Sequence, residues 1–129
     1  VGTVKHTGHA HEIDTPGKDS WRHRAAGGRP AALVTPDAIA AFLSRDPDRD
    51  PYAELAPLFA PCDLVLVEGD HAAPGADKIE VWRAGAGAPP IAAERDDILA
   101  VVSDDPVGVP VPVWPRSDVP ALADRLLRP

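Results

Sequence analysis

The segment DLVLVEG, Asp63–Gly69, decides the reading of this chain. Its apolar run is unbroken and closes on an acid and a glycine. That pattern predicts a buried central strand of a parallel or mixed sheet. A second run of the same kind, ILAVV at Ile98–Val102, ends in Ser103-Asp104. A shorter β-branched stretch, Val1–Lys5, is a third strand and leads into the polar, His-rich loop His6–Asp14.

The remaining elements follow from local signals. Thr15 as N-cap, Pro16 at the first helical position and Asp19 at the positive helix end predict a helix. It continues through Trp21–Arg24 and stops at Gly27-Gly28. Ala31–Val34 can form a strand. In Asp37–Arg45, Ile39, Phe42 and Leu43 fit a helical spacing, and a strand is also allowed. DPDRDP at Asp46–Pro51 is a turn-rich connection. Tyr52–Ala60 carries Leu55, Leu58 and Phe59 on one helical face, with Pro57 arguing for a short or broken helix. Lys78–Arg83 alternates Ile79 and Val81 against Glu80 and Trp82, a strand with one wet face. Val109–Trp114 reads as a Pro-interrupted edge strand. Ser117-Asp118 can cap a last helix, Pro120–Leu127, with Leu122, Leu126 and Leu127 inward. Strands interspersed with helices give an α/β class.

A length of 129 residues suits a single domain, 1–129. Sixteen prolines and ten glycines are about a fifth of the chain, short of a disordered composition. The net charge of -7 argues against non-specific nucleic-acid or anionic-membrane binding. The single cysteine, Cys62, excludes an internal disulfide and fits a reducing, cytoplasmic setting. It precedes a strand and reads as a packed thiol rather than a nucleophile. No apolar run nears the length of a membrane span.

Ligands of open α/β sheets bind beyond the carboxyl ends of the strands. Here those ends carry Lys5, His6, His9 and Asp14; then Glu68 and Gly69; then Ser103 and Asp104. An acid at such a position can face Mg²⁺ bound to phosphates, a role open to Asp14 and Glu68. Asp104 can accept the paired N–H donors of guanine. Each acid, taken alone, can equally be a helix cap or a solvated loop residue. Lys18 and Asp19 can be the charged first turn of a helix. His6, His9 and His11 can form a metal cluster, although the spacing matches no zinc signature. Trp21, Trp82 and Trp114 read as packing residues, with Trp82 also open to an interface role. No GxxxxGK[ST] phosphate loop occurs in the 129 residues.

Together, VKHTGHAHEIDTPGKDS (Val4–Ser20), DLVLVEG, DKIEVWR (Asp77–Arg83) and ILAVVSDDP (Ile98–Pro106) resemble the molybdopterin-guanine dinucleotide biosynthesis protein B family, MobB. The likeness runs from Val1 to the final helix, and the PGKDS block is its most distinctive stretch. The resemblance implies a P-loop NTPase-like mixed β-sheet flanked by helices, and a homodimer built through extended β-structure. It implies binding of GTP with Mg²⁺, weak hydrolysis, and assistance to the guanylyltransferase that joins GMP to molybdopterin. It also implies that Asp37–Arg45 is a strand paired with Ala31–Val34. Lys5, His6, His9 and Asp14 match a polar stretch after a family strand, and Pro16 to Ser20, with Lys18, Asp19 and Ser20, match the PGKDS block. Glu68 and Gly69 match a Walker-B-like strand end. Ser103 and Asp104 match the strand end near the expected base site.

Two departures shape the expectation. The family pattern opens with a strand, a Gly-rich loop ending in Gly-Lys-Thr, and a helix, and this chain starts after that unit, so it is expected to be N-terminally truncated. Alone, it is expected to be inactive as a GTPase, since the loop's backbone nest, lysine and hydroxyl hold phosphates and Mg²⁺. Asp70-His71 stands where the family commonly has an aromatic residue and a lysine. Three functions follow in order: a GTP-binding accessory protein of molybdenum cofactor biosynthesis; a nucleotide-free adaptor for the guanylyltransferase or a molybdoenzyme; and a His-based metal-handling domain.

Overall fold

A computed structural model of the chain describes residues 1–127. It is a mixed α/β structure with parallel and antiparallel pairing. Its contacts gather into two compact units, Val1–Gly69 and Asp70 onward. No helix among the described residues is long and apolar enough to cross a membrane.

In the first unit, β1 (Gly2–Lys5) and β4 (Val65–Glu68) pair in parallel. Between them the chain forms α1 (Asp19–Ala25), the strands β2 (Ala31–Val34) and β3 (Ile39–Phe42), and α2 (Pro51–Phe59). β2 and β3 form an antiparallel hairpin. The strand alternative therefore wins over the helical spacing at Asp37–Arg45, because Ile39–Phe42 zips onto Ala31–Val34 across four residue pairs. Pro51 opens α2, and the Asp50 side chain accepts the Tyr52 N–H at 2.9 Å. The helix tolerates Pro57 and ends two residues later, at Phe59.

Two expectations in this unit need correction. Helix α1 begins at Asp19 rather than at Thr15-Pro16. Gly17 adopts φ 82°, outside helical space, and the Lys18 N–H donates to the Thr15 carbonyl, closing a turn first. Strand β4 is not a buried central strand. Among the described residues it has one neighbour, β1, and Val65, Leu66 and Val67 are 37%, 39% and 38% exposed.

In the second unit, β5 (Lys78–Val81), β6 (Ile98–Val102) and β7 (Val113–Trp114) form a parallel sheet with β6 central. The expectation of a buried strand holds here. Ile98, Ala100, Val101 and Val102 are buried, and Trp82, Val107, Val109 and Val111 pack against the cluster of Ala92, Ile98 and Val101. Strand β5 departs from the expected alternation at Val81 and Glu80, while Ile79 is half-buried. Val81 is 71% exposed, whereas both Glu80 carboxylate oxygens accept backbone N–H groups, from Ile91 at 2.7 Å and Ala92 at 2.9 Å. Trp82 packs inward and donates through Nε1 to the Ala88 carbonyl at 2.9 Å. The last helix, α3 (Val119–Leu127), is capped by Asp118, whose carboxylate accepts the Ala121 N–H at 3.1 Å. Leu122 and Leu126 are half-buried, while Leu127 is exposed rather than inward.

Candidate functional site

Parallel pairing brings the carboxyl ends of β1 and β4 to the same end of the sheet, with Lys5 opposite Glu68. Lys5 Nζ lies 2.5 Å from Glu68 Oε1, and the two side chains are 61% and 76% exposed. The His6 N–H donates to the Glu68 carbonyl at 2.8 Å, extending the ladder by one step. Gly69 follows with φ 91°. A Cβ there would sit 2.5 Å from the His6 carbonyl oxygen, so glycine is required both by its dihedral and by the close approach of backbone. The His6 ring lies 6.4 Å from that of Tyr52, which the α2 cap fixes in the first helical turn. Lys5, His6, Glu68 and Gly69 thus form one constellation.

Asp14 belongs to a separate network. Its Oδ1 accepts the Ser20 hydroxyl at 3.0 Å and the Thr15 N–H at 2.8 Å. Its Oδ2 accepts no hydrogen bond but lies 3.5 Å from Arg24 Nη1, an ion pair. The Asp14 side chain is 6% exposed. Arg24 also donates to Glu12 at 3.0 Å and stacks over the Phe42 ring at 4.6 Å. Trp21 Nε1 adds a bond to Glu12 at 3.2 Å. The Arg24 hydrogen bond, with the Asp14 N–H and Trp21, holds the Glu12 carboxyl below the usual carboxylate range. This network ties the His-rich loop to α1 and to β3. A cation at Asp14 would have to displace Arg24 from a carboxylate that is turned inward. Lys18 and Asp19 are exposed at the start of α1, and Lys18 makes no side-chain cap.

In the second unit the strand end is also committed internally. Ser103 is buried, and its hydroxyl accepts the Asp105 N–H at 3.0 Å. Asp104 Oδ1 accepts the backbone N–H and the hydroxyl of Ser117, both at 3.0 Å, and Arg116 Nε lies 3.6 Å from Oδ2. The Ser117 backbone N–H leads in lowering the Asp104 pKa, followed by the Ser117 hydroxyl and Arg116. A guanine edge at Asp104 would have to displace Ser117.

The donor set also bears on Mg²⁺. Glu68 presents an exposed carboxylate at a strand end, suited to a cation that takes its other ligands from phosphates and water. Among the described residues, no three His, Cys, Asp or Glu side chains gather as a metal cage. The rings of His9 and His11 are 6.2 Å apart, while His6 faces Tyr52 instead, so the expected histidine trio does not assemble.

A sequence profile of the molybdopterin guanine dinucleotide synthesis protein B family, MobB, matches residues 1–104. The chain belongs to the MobB family. It is similar to the molybdopterin-guanine dinucleotide biosynthesis adapter protein of Escherichia coli (strain K12), 36% identical over 131 aligned residues, 95% of this chain and 72% of that protein. The protein of the same name from Haemophilus influenzae (strain ATCC 51907 / DSM 11121 / KW20 / Rd) is 32% identical, across 96% of this chain and 69% of its own length.

Every site residue read from the sequence lies within the MobB match, whereas β7 and α3 lie beyond it. Sequence reasoning missed Glu12, Arg24 and Tyr52 in the first unit and Ser117 as the partner of Asp104 in the second. Asp50-Pro51 before Tyr52 was a usable signal, since that cap sets the start of α2. Nothing local marks Arg24 as the partner of an acid twelve residues earlier.

Proposed function

We infer that the chain serves as an adapter in formation of molybdopterin guanine dinucleotide, and that the Lys5–Glu68 sheet end meets a guanine nucleotide and its Mg²⁺. Membership of MobB and the printed names of both relatives support the pathway. One observation carries the site: an ammonium and a carboxylate lie side by side at the carboxyl ends of two parallel strands. That is where open α/β sheets take ligands. Mg²⁺ supplies charge neutralisation to phosphate oxygens when bound. Lys5 offers a mobile cation to phosphate oxygens, Glu68 an anion to the metal, and Gly69 lets the backbone turn tightly beside both.

The partner proposed is the molybdenum cofactor guanylyltransferase, with the chain acting as a homodimer in the cytoplasm. The hairpin supports the dimer, since Leu33, Val34 and Ile39 on β2 and β3 are exposed. A P-loop NTPase-like sheet is the fold this reading entails. Calorimetric titration of Mg-GTP and of the guanylyltransferase into the chain tests both halves. Saturable Mg-GTP binding that Glu68→Ala weakens at least tenfold supports the nucleotide half. A nucleotide-free adaptor is the second reading, supported by the word adapter in the printed names of both relatives. Guanylyltransferase binding with no GTP heat selects that second reading.

A further inference from the structure

We propose that Lys5 acts as a counter-ion gate on Glu68, so that this sheet end takes a divalent cation more readily together with a phosphate-bearing ligand than without one. The inference rests on the nucleotide reading of the site and adds its order of assembly. Lys5 Nζ sits 2.5 Å from Glu68 Oε1, which leaves the pair neutral and sets an ammonium in the path of any cation approaching that oxygen. No three metal-binding side chains gather among the described residues, so no carboxylate cage offsets the repulsion. Both partners are largely solvent-exposed. Its flexible stem lets it move to another anion. When Lys5 pairs with phosphate oxygens, Glu68 is released and its charge becomes available. Exposed ion pairs are weak, so the gate is graded rather than absolute. The coupling is reciprocal: whatever the phosphate does for the cation, the cation does for the phosphate.

The test uses the full chain, ¹⁵N-labelled, with Mn²⁺ as the probe and broadening of the Glu68 and Gly69 amide signals as the readout. This reports local binding without any turnover. In the absence of nucleotide, Lys5→Met should lower the Mn²⁺ concentration for half-broadening by about two- to fivefold, the scale of one exposed pair. Lys5→Arg, which keeps the charge, should behave as the unaltered chain. GTP should lower that concentration in the unaltered chain and much less in Lys5→Met. Equal Mn²⁺ responses of the unaltered chain and Lys5→Met without GTP overturn the gate, even where GTP shifts the same amides and the nucleotide reading stands. Broadening that persists in Glu68→Gln, or is absent with and without GTP, overturns the reading of the site and the gate together.

Discussion

The Ser20 hydroxyl donates to Asp14 Oδ1 across 3.0 Å, and the other oxygen of that carboxylate faces Arg24 at 3.5 Å. A side chain 6% exposed is thereby used to fasten the His-rich loop onto α1. Replacing Asp14 by Ala strands the Ser20 hydroxyl and leaves Arg24 short of one partner. The expected loss is about 1–3 kcal/mol, with Ser20→Ala costing about 1 kcal/mol. Urea unfolding followed by tryptophan fluorescence measures both. Ser20→Ala losing as much as Asp14→Ala would mean that Arg24 contributes nothing through Asp14.

Gly69→Ala forces a Cβ onto the His6 carbonyl and holds alanine at φ 91°. The strain is about 1–3 kcal/mol, and it falls where β1 and β4 deliver Lys5 and Glu68. Lower thermal stability with weakened Mg-GTP binding is expected. Gly75, whose added Cβ meets nothing within 4 Å, provides a control with a similar φ of 76°. Gly75→Ala should leave nucleotide binding unaltered.

Asp97 gives the clearest pH dependence. Arg95 bonds it at 2.7 Å and 2.5 Å, and Lys78 lies 3.1 Å away. These bonds, Arg95 first, hold its carboxyl far below the usual carboxylate range. A carboxyl more acidic in the folded chain contributes fully above its unfolded value of about 3.9. That contribution fades as pH falls from there toward the folded value. Thermal unfolding from pH 2 to 7 should fall off less steeply below pH ~4 in Asp97→Asn than in the unaltered chain. Identical slopes would show that the cluster does not persist in solution.

The hairpin bears on assembly. Val34 and Ile39 pair across β2 and β3 and are 70% and 75% exposed. On the proposed homodimer reading, this open apolar pair lies in the contact. Ile39→Asp should raise the dimer dissociation constant at least tenfold, read by sedimentation velocity. An unaltered sedimentation profile would place the dimer contact elsewhere.

Much of the fold was legible because its signals are local. The Asp118 cap, the β6 run and the stop of α1 near Gly27-Gly28 each depend on a few adjacent residues. What failed depends on neighbours distant in sequence. Apolar composition alone cannot say that β6 is covered on both edges while, among the described residues, β4 has one partner. Alternation in β5 assigned Glu80 to water, yet its two oxygens cap Ile91 and Ala92. The strand end that carries Glu68 and Gly69 was legible from the sequence. The partners of Asp14 and Asp104, Arg24 and Ser117, are ones that no nearby residue announces.

The central claim is that the carboxyl ends of β1 and β4 receive the ligand. The most direct measurement is a Mg-GTP titration followed by ¹H–¹⁵N spectra of the labelled chain. Saturable shifts centred on the amides of Lys5, His6, Glu68 and Gly69, lost in Glu68→Ala, are the predicted result. Saturable shifts confined to other elements, or no saturable shift at those four amides, would contradict it.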